Sequence, residues 1–119
     1  MSKHKAFEDW LESINEEHPK NLHLHRDMLR EIWQQFKQRI PEDKLTPPDV
    51  YPRDGEPGII MEFSHLDWGI YVEFGPEHFS WMISQRLPDY PRIKWSPQDE
   101  NYLSQEIWVI IQEIYGVEQ

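Results

Sequence analysis

Cysteine is absent from the 119-residue chain. That excludes a disulfide scaffold and a cysteine-ligated zinc module, because both are built from thiols. It also removes the thiol nucleophile. Glycine is scarce, at five residues, and none opens a helix pattern, so no Gly-rich phosphate loop can be drawn. The Gly-x-Ser-x-Gly elbow of hydrolases is missing as well. Basic residues are outnumbered, with Lys+Arg 12 against Asp+Glu 22 and a formal net charge of −10. A general nucleic-acid binder needs the opposite balance, since phosphate attraction rests on Lys and Arg. Long apolar runs are missing too. The longest spans 107–111, far below the ~20 residues a membrane-crossing helix requires. The early lysines are not followed by an apolar h-region, so no secretory leader is read and the cytoplasm is the expected compartment.

What the chain does have is aromatic residues, 13% of the total with six tryptophans. They can build a core, which argues against disorder despite the charge. The length corresponds to a single domain, 1–119.

Phe7, Trp10, Leu11 and Ile14 fall at i, i+3, i+4 and i+7, one helix face, and predict a helix near 5–17 ended by Pro19. Leu22, Leu29, Ile32, Trp33, Phe36 and Ile40 keep the same spacing and predict a second helix near 22–40. Asn21 is its expected N-cap and Pro41 its end. Residues 41–58 hold five prolines and two glycines, a density that forbids helix and interior strand alike. They read as an extended connector, turning at 53–55 and packed in places by Leu45, Val50 and Tyr51.

Three strands follow, near 59–63, 68–74 and 79–84, separated by turns at 64–67 and 75–78. Treated as hairpins, the first pairs Phe63 with Trp68, Met61 with Ile70 and Ile59 with Val72. The second pairs Phe74 with Phe79, Val72 with Trp81 and Ile70 with Ile83. Both turns place Ile59, Met61, Phe63, Trp68, Ile70, Val72, Phe74, Phe79, Trp81 and Ile83 on one face, an agreement that a one-residue slip would destroy. A short further strand is conceivable at 92–95. A last helix near 97–115 starts with Ser96 as N-cap and Pro97 at N1, and stops at Gly116.

The expected fold is therefore α+β in the order α-α-β-β-β-α. It is a two-layer sandwich of a three-stranded antiparallel meander with helices on one face.

The charge is unevenly spread. Residues 1–45 carry 8 basic and 9 acidic side chains, and residues 46–119 carry 4 and 13, so −9 of the −10 belongs to the later part. Such a field keeps a protein dispersed, and it also steers a basic partner. On the face opposite the apolar one, the assumed register places a central row of Ile60, Tyr71 and Met82, framed by Glu62 and Glu73. Interface cores favour Tyr and Met, with charge towards the rim. These five residues are the candidate partner-binding set.

Histidines cluster at His18, His23 and His25, followed by Asp27. On a helix, His23 and Asp27 share a face at i and i+4, whereas His23 and His25 diverge by ~200°. His18, His23 and Asp27 are thus the candidate metal ligands, although the familiar metal motifs are absent. His65 and Asp67 share one hairpin turn and His78 lies in the next, at the opposite end of a meander, so they cannot form one catalytic pair. No catalytic residue and no cofactor is assigned.

The reading that follows is a non-enzymatic acidic protein-interaction domain that binds a basic protein, with direct nucleic-acid and membrane binding discounted. An inhibitor, a toxin-neutralising or immunity-like protein, and a mimic of nucleic-acid charge are instances of it. The alternatives are a small enzyme or metal-binding domain, and a structural protein that self-associates as a homodimer through the Ile60–Tyr71–Met82 strip.

Overall fold

The computed structural model describes residues 3–15, 17, 19–53, 58–75, 78–85, 93–95 and 105–117. Helix α1 spans Lys3–Ser13. A 3₁₀ segment, Pro19–His25, leads into α2, Arg26–Arg39. Strands β1 (Asp49–Pro52), β2 (Ile59–His65), β3 (Trp68–Gly75), β4 (His78–Gln85) and β5 (Ile93–Trp95) come next, followed by α3, Gln105–Ile114. The strands form one antiparallel sheet in sequence order.

The α+β class holds, and the meander is present as β2–β3–β4. The sheet has five strands rather than three, because each end of the meander gains a short neighbour. At one end, β1 emerges from the proline-rich connector. Prolines bar an interior strand but not an edge strand, where one side needs no ladder bonds. Pro52 sits at the end of β1, opposite Ile59. At the other end, β5 pairs Trp95 with Trp81.

The second hairpin has the expected register, with Phe74 opposite Phe79, Val72 opposite Trp81 and Ile70 opposite Ile83. The first is displaced by two residues. Its turn is only Leu66-Asp67, so His65 faces Trp68, Phe63 faces Ile70, Met61 faces Val72 and Ile59 faces Phe74. Ser64 and His65 prolong the strand instead of forming the turn. A displacement of two leaves every side chain on its original face. Ile59, Met61, Phe63, Ile70, Val72, Phe74, Trp81 and Ile83 are accordingly all buried, in one core with the helices.

Helix α1 is shorter than its apolar spacing suggests. The Ser13 hydroxyl donates back to the Trp10 carbonyl at 2.6 Å, and the Asn15 side chain accepts from the Glu17 N–H at 2.9 Å. Short polar side chains of this kind compete with the helix ladder. Helix α2 begins at Arg26 behind His25, which makes no side-chain cap bond, so Asn21 does not cap it. The preceding residues are wound more tightly, as 3₁₀ turns often are at helix starts.

Leu29, Ile32, Trp33 and Phe36 form the buried stripe of α2. Phe36 stacks on Phe63 with ring centroids 3.8 Å apart, and meets the edge of Trp108 from α3 at 4.9 Å. This aromatic cluster joins α2, α3 and the sheet. Helix α3 ends in a Schellman motif: Val117 donates to the Gln112 carbonyl at 2.8 Å and Gly116 to Glu113 at 3.0 Å. Gly116 has φ +71°, a left-handed conformation that favours glycine. The expected Ser96–Pro97 helix start and the turn at 53–55 fall wholly or partly outside the described residues.

Candidate functional site

The side of the sheet turned away from the aromatic core is defined by the same pleat. The observed register makes its central row Asp49, Glu62, Tyr71 and Met82, on β1 to β4 in order. The adjacent row is Tyr51, Ile60, Glu73 and Ser80. A third holds Ser64, Gly69 and Ser84. Ile60, Glu62, Tyr71, Glu73 and Met82 thus share one face, and all five are half-buried. Their arrangement differs from the one expected. The shift of the first hairpin moves Ile60 out of the row of Tyr71 and Met82, and puts Glu62 there instead. The continuous apolar strip is therefore broken: a carboxylate stands directly beside Tyr71, and Ile60 stands beside Glu73.

Several contacts fix these side chains. The Tyr51 hydroxyl donates to Glu62 Oε1 at 2.8 Å. Burial pushes the Tyr51 phenol up, with Glu62, then Tyr71 and Asp49, adding to the effect. The phenol therefore remains a donor throughout the neutral range. Tyr51 was expected to pack the connector; it lies on this face instead and is 37% exposed. The Tyr71 ring lies across Gly69: a Cβ there would stand 2.9–3.1 Å from its hydroxyl, Cε2 and Cζ. The absent side chain at position 69 is what lets the ring settle against the backbone. The Ser80 hydroxyl donates to Glu73 Oε2 at 3.2 Å, and Arg53 Nε stands 3.8 Å from Glu73 Oε1.

Among the described residues no group of three His, Asp or Glu side chains is placed to hold a metal ion. His18 lies outside the described residues. His23 sits in the 3₁₀ segment, whereas Asp27 is in α2 and turns to Arg30 at 3.3 Å. Burial, then the nearby His23, lowers the pKa of His25, whose ring packs edge-on against Phe74 at 5.6 Å. At the first hairpin, the His65 ring at the end of β2 meets Tyr115 at 4.6 Å, tilted by 37°, while Asp67 in the turn accepts from Gln85 at 2.6 Å. The two are drawn to different partners.

A second polar site, between α1 and α2, escaped the sequence reading. His4, Glu8, Lys37, Ile40 and Glu42 line a cavity of about 280 Å³. His4 is buried, its Nε2 lies 2.6 Å from the Leu45 carbonyl, and its ring meets Trp33 edge-on at 5.0 Å. Glu8 Oε2 accepts from both Trp33 Nε1 and Lys37. Burial alone would raise the Glu8 carboxyl, but the bonds from Lys37 and Trp33 outweigh it and hold the carboxyl below its usual range. The signal for His4 was its position: it precedes Phe7 by three residues and Leu11 by seven, on the same buried stripe. The contacts that occupy these groups are between α1, α2 and the loop after α2, which is the pattern of a packing joint.

No helix among the described residues is long and apolar enough to cross a membrane. No family model matches the chain, and neither does any curated protein or any solved structure.

Proposed function

We propose that the protein is a non-enzymatic interaction domain of the cytoplasm whose outer sheet face docks a basic protein. Inhibitors, toxin-neutralising proteins and mimics of nucleic-acid charge are members of that class. The observation that supports the reading is the juxtaposition of Asp49, Glu62 and Glu73 with Tyr51, Tyr71 and Met82 on one antiparallel face. Residues 59–85 contribute no Lys or Arg to it; the basic residues at its borders are Arg53, beside Glu73, and Lys94, opposite Met82. Aromatic and Met side chains supply the contact area of an interface, and a surrounding field of one sign raises the rate of encounter with the opposite sign.

The test is affinity capture from a cell lysate at low and raised salt, with the wild type beside two variants. One variant is Tyr71→Ala; the other carries Glu62→Lys and Glu73→Lys together. The expected result is a basic protein whose retention falls with salt and is lost in both variants, while each variant keeps the wild-type circular dichroism. Undiminished capture by folded variants would remove the face from consideration. A mass near twice 14.5 kDa by light scattering, reduced to the monomer in Tyr71→Ala, would assign the face to self-association instead.

A further inference from the structure

The outer face has an internal indication of the cation it accepts. Arg53, at the end of β1, lies against it: its side chain is only 16% exposed and its Nε stands 3.8 Å from Glu73. The chain thus holds a guanidinium over one carboxylate of this surface. At the other carboxylate, two residues further along β2 than Ile60, the surroundings are aromatic. Glu62 is flanked across the strands by Asp49 and Tyr71, and receives the Tyr51 hydroxyl at 2.8 Å. The Tyr71 ring is held over Gly69. Asp49 is exposed beside it.

We infer that Tyr51, Glu62, Tyr71 and Asp49 form a seat for an arginine side chain of the protein partner. The inference rests on the reading of this face as an interaction surface, and names the group that the surface selects. A carboxylate alone attracts any cation. A carboxylate between two tyrosines discriminates, because guanidinium is planar, weakly hydrated and stacks on aromatic rings, whereas ammonium is a compact and strongly hydrated charge. Pairing with carboxylate is also bidentate for guanidinium and single-point for ammonium. The Tyr51–Glu62 bond fixes the carboxylate in place before the cation arrives, so less side-chain freedom is lost on binding. Tyr71, lodged on Gly69, is fixed in the same way.

The experiment uses the full chain, labelled with ¹⁵N, titrated with nona-arginine and, separately, with nona-lysine at about 0.15 M salt. Nona-arginine should shift the amides of Tyr51, Glu62 and Tyr71, and should bind at least about threefold more tightly than nona-lysine. Tyr71→Phe should keep the preference, and Tyr71→Ala should abolish it. Equal affinities with shifts on this face would overturn the arginine seat while leaving the interaction surface standing. Shifts confined to other surfaces, such as α3, or no shifts at all, would overturn both. The wild-type comparison decides the matter even if an alanine variant does not fold.

Discussion

The two faces of the sheet are made from the same strands and differ in what holds them. The inner face consists of Ile59, Met61, Phe63, Ile70, Val72, Phe74, Trp81 and Ile83, each with at most 3% of its surface exposed. The outer face has Glu62 against Tyr71, Ile60 against Glu73, and serines at Ser64, Ser80 and Ser84. The inner face is held by volume: stacked rings and aliphatic side chains fill the space between sheet and helices, and nothing there depends on charge. The outer face is held by specific polar contacts, Tyr51 to Glu62, Ser80 to Glu73 and Arg53 to Glu73. Polar contacts at a half-exposed surface add little net stability. The outer face can therefore change without unfolding the protein, whereas the inner face cannot.

The sharpest way to break this division is Phe36→Ala. Phe36 is fully buried against Phe63, Trp81 and Trp108. Its truncation should cost about 3–5 kcal/mol in urea unfolding, a large share of a small domain's stability. No single substitution on the outer face should approach that loss.

Gly69→Ala probes the outer face at its tightest point. The added methyl meets the Tyr71 ring at 2.9–3.1 Å and must displace it, at an expected cost of about 1–2 kcal/mol. In the Tyr71→Ala background the obstacle is gone, and the same substitution should be neutral or slightly stabilising. A double-mutant cycle by denaturant unfolding measures the coupling. Strict additivity would show that the ring does not rest on Gly69.

Tyr115→Phe inverts the usual sign for a core residue. The Tyr115 hydroxyl is buried and has no hydrogen-bond partner among the described residues. Removing it should stabilise the protein by about 1 kcal/mol at neutral pH, read as a raised midpoint of denaturation. Burial also pushes the Tyr115 phenol up, as burial and Glu62 do for Tyr51. A raised folded-state value means that the folded form prefers the protonated phenol. The stabilisation is complete below the unfolded value of about 10 and is lost as the pH rises from there through the folded value. Stability measured upward from pH 9 should therefore fall less steeply in Tyr115→Phe than in the wild type.

The smallest effect is expected from Tyr51→Phe, which removes the bond to Glu62 at a half-exposed site and should cost well under about 1 kcal/mol. It should change arginine-peptide binding more than stability. A large loss of stability would show that the outer face is structural after all.

Much of this division was legible before any coordinates. Alternation at every second residue places an apolar and a polar side on 59–63, 68–74 and 79–84, and a pleated strand has only two sides to offer. The face of each residue therefore survived even where the pairing did not. The neighbours of Ile60 and Glu62 were misassigned because Ser64 and His65 are as acceptable in a turn as in a strand, and the two-residue turn carries Leu66 at φ +55°, where glycine or asparagine is the ordinary signal. Strand β1 was hidden for a different reason. Prolines bar a central strand, and the exception for edges depends on which strand ends up at the edge, a property of the finished sheet. Asn21 carried a sound capping signal, but the chain reaches α2 through a 3₁₀ segment, and the cap position passed to His25. The spacing of His4 from Phe7 and Leu11 marks it as a buried position of α1, but its partners Glu42 and Leu45 follow α2 and meet it only after α1 and α2 have packed.

The sheet order β1-β2-β3-β4-β5 repeats the order of the chain. Each strand can find its neighbour by closing a short loop, so the ladder requires no search across the molecule. Helices α1 and α2 precede the strands and α3 follows them, so the contacts that finish the core are the ones that span the chain. The Phe36 ring meeting the edge of Trp108 at 4.9 Å, across 72 positions, is one of them. A ribosome releases α3 after the whole meander has emerged. Until then the inner face lacks Ile107, Trp108 and Ile111 and stands open along that side, so the nascent chain is most exposed to aggregation in the interval before α3 arrives.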